Sequence, residues 1–179
     1  MKMAVTVRVL GVDPGTLRLG FGLLEASGPV VRLVTSGALA APASWEASRR
    51  LARIAAALAG VIDSERPDCL ALEASFFGRD PHALVRLGEA RGMVLALAGA
   101  RGIPVHDYAP ASVKKSVTGH GNASKEQVAR MLAAQIPNLG RAGVGEALDR
   151  TDALAIAWCH LQRSRLEARR STITRALRR

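Results

Sequence analysis

The chain has 179 residues, 49% of them hydrophobic, which suits one domain with a substantial core. Its 25 lysines and arginines against 15 acidic residues give a net charge of +10, which favours a polyanionic partner such as nucleic acid. No apolar run reaches the roughly 18 residues of a membrane helix, and residues 1–10 are too short and too soon charged for a secretory signal. We therefore expect a cytoplasmic protein that makes no membrane contact.

Three strands are predicted in the first 40 residues, because apolar positions recur with strand spacing in residues 5–13, 18–26 and 30–39. Turns at Pro14-Gly15 and Gly28-Pro29 separate them. These strands are close in sequence and joined by short turns, so we expect an antiparallel meander.

Helices and strands alternate in the next part of the chain. Helical spacing begins at Ser44 and stops at Pro67, a strand follows at residues 69–73, and a second helix covers residues 81–101. One more strand is predicted at residues 103–108, with helices at 110–117, 124–135 and 145–168. Strands joined by helical crossovers are parallel, so the fold class is α/β with a mixed five-stranded sheet flanked by helices.

Carboxylates stand at corresponding places in this pattern. Asp13 ends the first strand and Glu73 ends the fourth, so they share one sheet edge if their strands are parallel neighbours. Asp149 and Asp152 are three residues apart at the start of a helix and lie on one of its faces. Each acid also has a structural interpretation, as a turn former, a strand-end charge or a helix cap.

The grouping of these four acids carries a chemical implication. Carboxylates gathered at one edge repel one another, and divalent cations that prefer oxygen ligands relieve the repulsion. We therefore predict Mg²⁺ or Mn²⁺, two ions per site. In a basic protein, this indicates a nuclease in which the ions act on a phosphodiester.

Four segments in this order closely resemble the RuvC family of Holliday junction resolvases: "LGVDPGTLRLGFGLL", "LALEASFF", "LGEARGMVLALA" and "DRTDALAIA". The resemblance runs from about residue 8 to residue 160 and implies a ribonuclease H-like fold. It implies a homodimer that nicks the two opposed strands of a four-way DNA junction symmetrically, with branch-migration partners of the RuvA and RuvB type. It carries the catalytic, metal-binding acids onto Asp13, Glu73, Asp149 and Asp152.

The same resemblance suggests further site residues. Phe76 matches an aromatic residue used against unstacked bases, and we favour this role over the alternative, a side chain that fills the core. Lys114 and Lys125 match lysines aimed at phosphates near the scissile bond, the alternative being two solvated side chains. Arg79 and Arg91 are additional DNA-binding candidates.

The end of the chain is a separate region in composition. We divide the chain into a RuvC-like nuclease domain at residues 1–160 and an arginine-rich tail at residues 161–179 with seven arginines and one glutamate. We expect a flexible tail, either simply solvated or acting as a DNA-binding arm.

Three smaller predictions concern packing. Gly88 and Gly92, four residues apart in the second helix, would let two helices approach closely, either within a subunit or across a dimer. Ser124 and Gln127 fit a capping box. The two cysteines are predicted as buried free thiols, and the histidines as surface or core residues rather than ligands: Cys69, Cys159, His82, His106, His120 and His160.

Three other functions compete with junction cleavage. A structure-specific DNA-binding protein without catalytic activity would use the acids only as caps and solvated charges. An actin-like ATPase would use "DPGTLRLG" as a phosphate loop, but that fold needs two such domains and the chain is too short. A nuclease for ribosomal RNA precursors would differ in substrate, and metal-dependent cleavage of a four-way junction separates all three from a resolvase.

Overall fold

The structure is a computed structural model that describes residues 6–74, 80–139 and 148–177. The strands are β1 (Thr6–Asp13), β2 (Arg18–Ser27), β3 (Val30–Ala40), β4 (Cys69–Glu73) and β5 (Val105–Tyr108). The helices are α1 (Ala47–Glu65), α2 (Pro81–Gly99), α3 (Pro110–Thr118), α4 (Lys125–Gln135) and α5 (Leu148–Leu177). Among these described helices, none is both long and apolar enough to span a membrane.

The five strands form one mixed sheet in the order β3-β2-β1-β4-β5. Strand β2 is antiparallel to β1 and β3, while β4 runs parallel to both β1 and β5. The meander and the parallel crossovers predicted from the sequence are both confirmed. Gly28, in the turn between β2 and β3, has a φ of 57°, a conformation that glycine adopts without a steric penalty.

Strand alternation divides the core between the two faces of the sheet. Leu10, Leu70 and Leu72 are fully buried on the face covered by α1 and α2. Val9 and Ala71 point to the opposite face, where they pack with residues of α3, α4 and α5. Helix α5 contributes an almost unbroken run of buried residues there, from Ala153 to Leu161.

Helix α5 lies directly on a pair of glycines in the sheet. Gly11 of β1 and Gly22 of β2 are register partners. A Cβ atom added to Gly11 would overlap the Ala153 carbonyl oxygen, and one added to Gly22 would lie 2.6 Å from a methyl carbon of Leu154. Only glycine at these two positions lets the helix approach the strands so closely.

The last helix extends further than the sequence pattern indicates. It runs through Leu177 and therefore crosses the predicted boundary at residue 160 without a break. Beyond that point the Arg165 guanidinium donates a 2.7 Å hydrogen bond to the Gly28 carbonyl, which joins the extension to the turn between β2 and β3. The division into two regions stays a prediction.

Replacing Gly11 with alanine tests the close contact between α5 and the sheet. We expect Gly11→Ala to lower the free energy of unfolding by about 1–3 kcal/mol or more, because the methyl group meets backbone that cannot move aside. Gly60→Ala, on the exposed side of α1 with open space around it, should instead stabilise the protein by about 0.5–1 kcal/mol. Denaturant titrations of both variants measure the difference, and equal effects would contradict the packing argument.

Candidate active site

The carboxyl ends of β1 and β4 place two acids side by side at one edge of the sheet. Val12 pairs with Leu72 in the parallel ladder, and the next residues along the two strands are Asp13 and Glu73. Asp13 follows Val9 and Gly11 on the sheet face that α5 covers, because strand side chains alternate. The predicted juxtaposition of these two strand ends is therefore present.

Helix α5 brings a third acid to this edge. Asp152 directly precedes Ala153, whose carbonyl lies against Gly11, so its place follows from the close contact between helix and sheet. A pocket of about 320 Å³ is lined by Asp13, Glu73 and Asp152. Asp149 lies one turn earlier, in the first turn of α5, and its side chain is outside the described part of the structure.

Two lysines line the same pocket. Lys125 Nζ lies 2.6 Å from Asp152 Oδ2, and 24% of the Asp152 side chain is exposed. Lys125 is the first residue of α4, whose start is held by the predicted capping box between Ser124 and Gln127. Lys114 reaches the pocket from α3, and the pocket wall includes the buried Val113 beside it. The structure thus brings together two cations and the three acids whose side chains it describes.

The other DNA-binding candidates have different placements. Both terminal nitrogens of Arg91 are engaged: Nη2 lies 2.7 Å from each carboxylate oxygen of Asp107, and Nη1 lies 3.5 Å from the Glu73 carbonyl oxygen. This arrangement braces α2 against β5 and β4, and a DNA contact by Arg91 stays a prediction. Phe76 and Arg79 lie outside the described residues.

A second group of titratable side chains lies further along the same sheet face. Ligand atoms of Cys69, His106 and His160 all lie within 4.8 Å of one another. Cys69 Sγ is 3.3 Å from His160 Nε2, and the two histidine rings are 4.5 Å apart between centroids. The Tyr108 hydroxyl lies 2.7 Å from His160 Nδ1. Among the described residues, this group has three potential ligand atoms close enough together to hold one metal ion.

Burial favours the neutral forms of Cys69, Tyr108 and His160. Desolvation raises the pKa of the Cys69 thiol to about 11, with a smaller contribution from Asp68, and raises the pKa of Tyr108 to about 12. Desolvation, followed by the charge of His106, lowers the pKa of His160 to about 4. At neutral pH the thiol is therefore protonated and the His160 ring uncharged.

The sequence interpretation missed this group, although a signal for it exists. Cys69 lies on the same face of β4 as Ala71 and Glu73, and His106 lies on the same face of β5 as Tyr108. Strand alternation combined with the parallel pairing of β4 and β5 would have placed Cys69 and His106 on one face of the sheet. The contribution of His160 required the orientation of α5, which the sequence pattern does not define. Both cysteines are buried and free, as predicted.

The comparison with known proteins decides the family. A family model described as "Crossover junction endodeoxyribonuclease RuvC" matches residues 9–160. The chain belongs to the RuvC family. RuvC proteins of Chloroflexus aggregans and Porphyromonas gingivalis are each 42% identical to it, over 86% and 85% of this chain and 92% and 80% of theirs. The family and the enzyme class predicted from the motifs are confirmed.

Solved structures agree with this assignment. A structure described as T. thermophilus RuvC in complex with Holliday junction substrate superposes with a TM-score of 0.83 at 33% identity, covering 90% of this chain and 96% of that one. The yeast mitochondrial Holliday junction resolvase Ydc2 superposes with a TM-score of 0.68 at 16% identity, covering 97% of this chain and 85% of that one, which shows a shared fold. The predicted ribonuclease H-like fold is confirmed.

A double-mutant cycle across Lys125 and Asp152 tests the ion pair in the pocket. We expect Lys125→Met and Asp152→Asn to show a coupling energy of about 1 kcal/mol, the upper end for ion pairs that retain solvent contact. The control is Arg86 and Asp80, which are 3.7 Å apart with both side chains more than half exposed, and their coupling should be near zero. Chemical denaturation in chelator measures both cycles, and equal coupling would contradict a special role for the pocket pair.

Proposed function

We propose that this RuvC family member resolves four-way DNA junctions by symmetric, metal-dependent nicking of two opposed strands during recombination and repair. The observation that supports this most directly is the pocket at the carboxyl edge of β1 and β4. Its lining combines three acids with two lysines: Asp13, Glu73, Asp152, Lys114 and Lys125. Relatives of the chain are named crossover junction endodeoxyribonucleases. Such a nuclease acts where DNA is found, and the cytoplasm is its proposed location.

The donor set of the pocket suits hard divalent ions. Its described acidic ligands are carboxylate oxygens, the type that Mg²⁺ and Mn²⁺ prefer. We assign the ions to Asp13, Glu73 and Asp152, and to Asp149 by its position one turn earlier in α5. When bound, two such ions activate the attacking water and stabilise the leaving oxygen of the phosphodiester.

The lysines position the substrate and control the charge of the pocket. Lys125 Nζ holds one oxygen of Asp152, which reduces the repulsion among the acids when no cation is bound. Lys114, on the α3 wall of the pocket, provides a charge for a DNA phosphate. Ammonium groups fixed beside a reacting phosphate stabilise its developing charge with little reorganisation.

Positive charge continues from the pocket onto the extension of α5. Lys115 follows Lys114 on α3, and it lines a groove of about 480 Å³ together with Arg163 and Arg170 of α5. We propose that this groove holds the phosphate backbone of a junction arm. Phe76 keeps its proposed role of stacking on an unpaired base near the scissile phosphate, and Arg79 its proposed role as a DNA contact.

A second copy of the chain is the proposed partner of α2. Along this helix an exposed stripe contains apolar residues around two glycines, with 60% of Val85 and 40% of Leu95 accessible. Gly88 and Gly92 have open space where a Cβ would lie, so another helix can come close to their backbone. A twofold dimer would present two matching active sites to the two opposed strands of a junction. Branch-migration partners of the RuvA and RuvB type remain proposed.

Asp13→Asn tests the proposed chemistry. We expect the variant to bind a labelled four-way junction and to lose nicking in Mg²⁺, because an amide is a poor ligand for a hard cation. Gel-shift and cleavage assays measure binding and nicking side by side. The matched control is Asp63→Asn, an acid on α1 paired with Arg101 away from the pocket, which should leave nicking unchanged.

The outcomes of this experiment separate the competing functions. Nicking by folded Asp13→Asn near the parental rate would contradict the metal-site assignment. A parental protein that binds junctions without cleaving them in Mg²⁺ or Mn²⁺ would instead indicate a non-catalytic junction-binding protein. Cleavage of structured RNA in preference to the junction would indicate a nuclease for ribosomal RNA precursors.

The salt dependence of binding tests the groove between α3 and α5. We expect Lys115→Gln combined with Arg170→Gln to make the slope of log affinity against log salt shallower by about 0.9 for each DNA phosphate that is no longer neutralised. Arg53→Gln combined with Arg66→Gln, exposed on and just after α1, removes the same charge from the other side of the sheet. The control should keep the parental slope, and equal slopes for the two double variants would argue against the groove.

A further inference from the structure

The sheet face under α5 carries a second group of potential metal ligands, away from the carboxylate edge. We propose that Cys69, His106 and His160 bind one borderline-soft divalent ion of the Zn²⁺ class, at a site distinct from the carboxylate pocket. Each residue comes from a different element, β4, β5 and α5 respectively. The proposal concerns a site that junction cleavage does not require and stands independently of the proposed function.

The distances suit a tetrahedral site. With bonds of about 2.3 Å to sulfur and about 2.0 Å to nitrogen, two tetrahedral ligands lie about 3.5 Å apart. Cys69 Sγ and His160 Nε2 are separated by 3.3 Å, and the ligand atom of His106 completes a triangle with no side above 4.8 Å. Small side-chain rotations bring all three to one ion, with water in the fourth position.

Ligand type distinguishes this group from the carboxylate pocket. One thiolate and two imidazoles favour Zn²⁺ and similar ions, whereas Mg²⁺ prefers oxygen. Asp152 and His160 are eight residues apart in α5, which corresponds to about 12 Å along the helix at about 1.5 Å per residue. The two sites can therefore hold different ions at the same time.

The surroundings of His160 hold the ring in a ligating orientation. The Tyr108 hydroxyl lies 2.7 Å from Nδ1, while Nε2 faces Cys69 Sγ at 3.3 Å and the Ser164 hydroxyl at 3.2 Å, a contact that a bound ion would replace. Outer partners of this kind set the tautomer and orientation of metal-binding histidines. A metal ion would reach the three ligands from the side of β5, which is an edge strand of the sheet.

Binding involves a simple exchange of ligands and one proton. The Cys69 thiol loses its proton to solvent as the sulfur–metal bond forms, and nitrogen lone pairs of His106 and His160 replace water around the ion. The bound ion would connect β5 with β4 and α5, which also carry Glu73 and Asp152 respectively. We therefore expect it to raise the thermal stability of the protein.

Co²⁺ is the probe for this site, because a cobalt–thiolate bond gives an absorption band that oxygen ligands do not. The full-length protein is titrated in excess Mg²⁺, which saturates the carboxylate pocket. We expect one equivalent of Co²⁺ to produce the thiolate band and one equivalent of Zn²⁺ to abolish it. Zn²⁺ should also raise the melting temperature of the parental protein in the same buffer.

Variants identify the ligands. Cys69→Ala should lose the thiolate band, and His106→Ala should lose the rise in melting temperature with Zn²⁺. Tyr108→Phe should keep the band and weaken Co²⁺ binding by roughly 10-fold to 100-fold. The controls are Cys159→Ala, the other buried cysteine, and His82→Ala, an exposed histidine on α2, and both should behave like the parental protein.

Three results would overturn the proposal: no thiolate band in the parental protein, a band that survives in Cys69→Ala, or a band that disappears in Cys159→Ala. Circular dichroism first establishes that each variant is folded. If Cys69→Ala does not fold, His106→Ala decides the question, because the β5 edge tolerates substitution better than the core. An unchanged Zn²⁺ affinity in folded His106→Ala would also refute the site.

Discussion

The close contact between α5 and the sheet determines the geometry of the carboxylate pocket. Gly11 and Gly22 face each other across β1 and β2, and the absence of two Cβ atoms lets α5 rest on the strand backbone. Asp152 precedes the helix residue in contact with Gly11, and Asp13 follows Gly11 by two positions on the same face of β1. The pocket thus depends on a glycine pair with no chemistry of its own, since any larger side chain would lift the helix and its carboxylate away from the strand ends.

Acidic and basic side chains meet in the carboxylate pocket. Asp13, Glu73 and Asp152 line a small volume, and Lys125 contacts Asp152 directly. The capping box at Ser124 fixes the start of α4. The ammonium group of Lys125 therefore comes from an ordered helix end rather than from a loop. A divalent ion would relieve the repulsion among these carboxylates, which is why we assign the proposed metal ions to them.

Much of this fold follows from local patterns, and the remainder depends on tertiary packing. Strand alternation and helical crossovers predict the parallel β1–β4 pair, and with it the meeting of Asp13 and Glu73. The end of α5 could not be predicted, because the arginine-rich segment lacks the apolar stripe that marks a packed helix. The hydrogen bond from Arg165 to the turn between β2 and β3 joins residues 137 positions apart, and such a contact leaves no local pattern in the sequence. The approach of His160 to Cys69 is equally non-local, because the two residues are 91 positions apart in the sequence, and it depends on how α5 is rotated over the sheet.

One face of β4 connects the two chemical environments. Cys69 opens the strand and Glu73 closes it, with Ala71 between them on the side covered by α5. At the Cys69 end, Cys69 and His160 are buried and burial favours their uncharged forms. At the Glu73 end lies a pocket lined with charged side chains, where we propose that hard ions and a DNA phosphate bind. Because α5 carries both Asp152 and His160, its close contact with Gly11 sets the position of one residue in each environment.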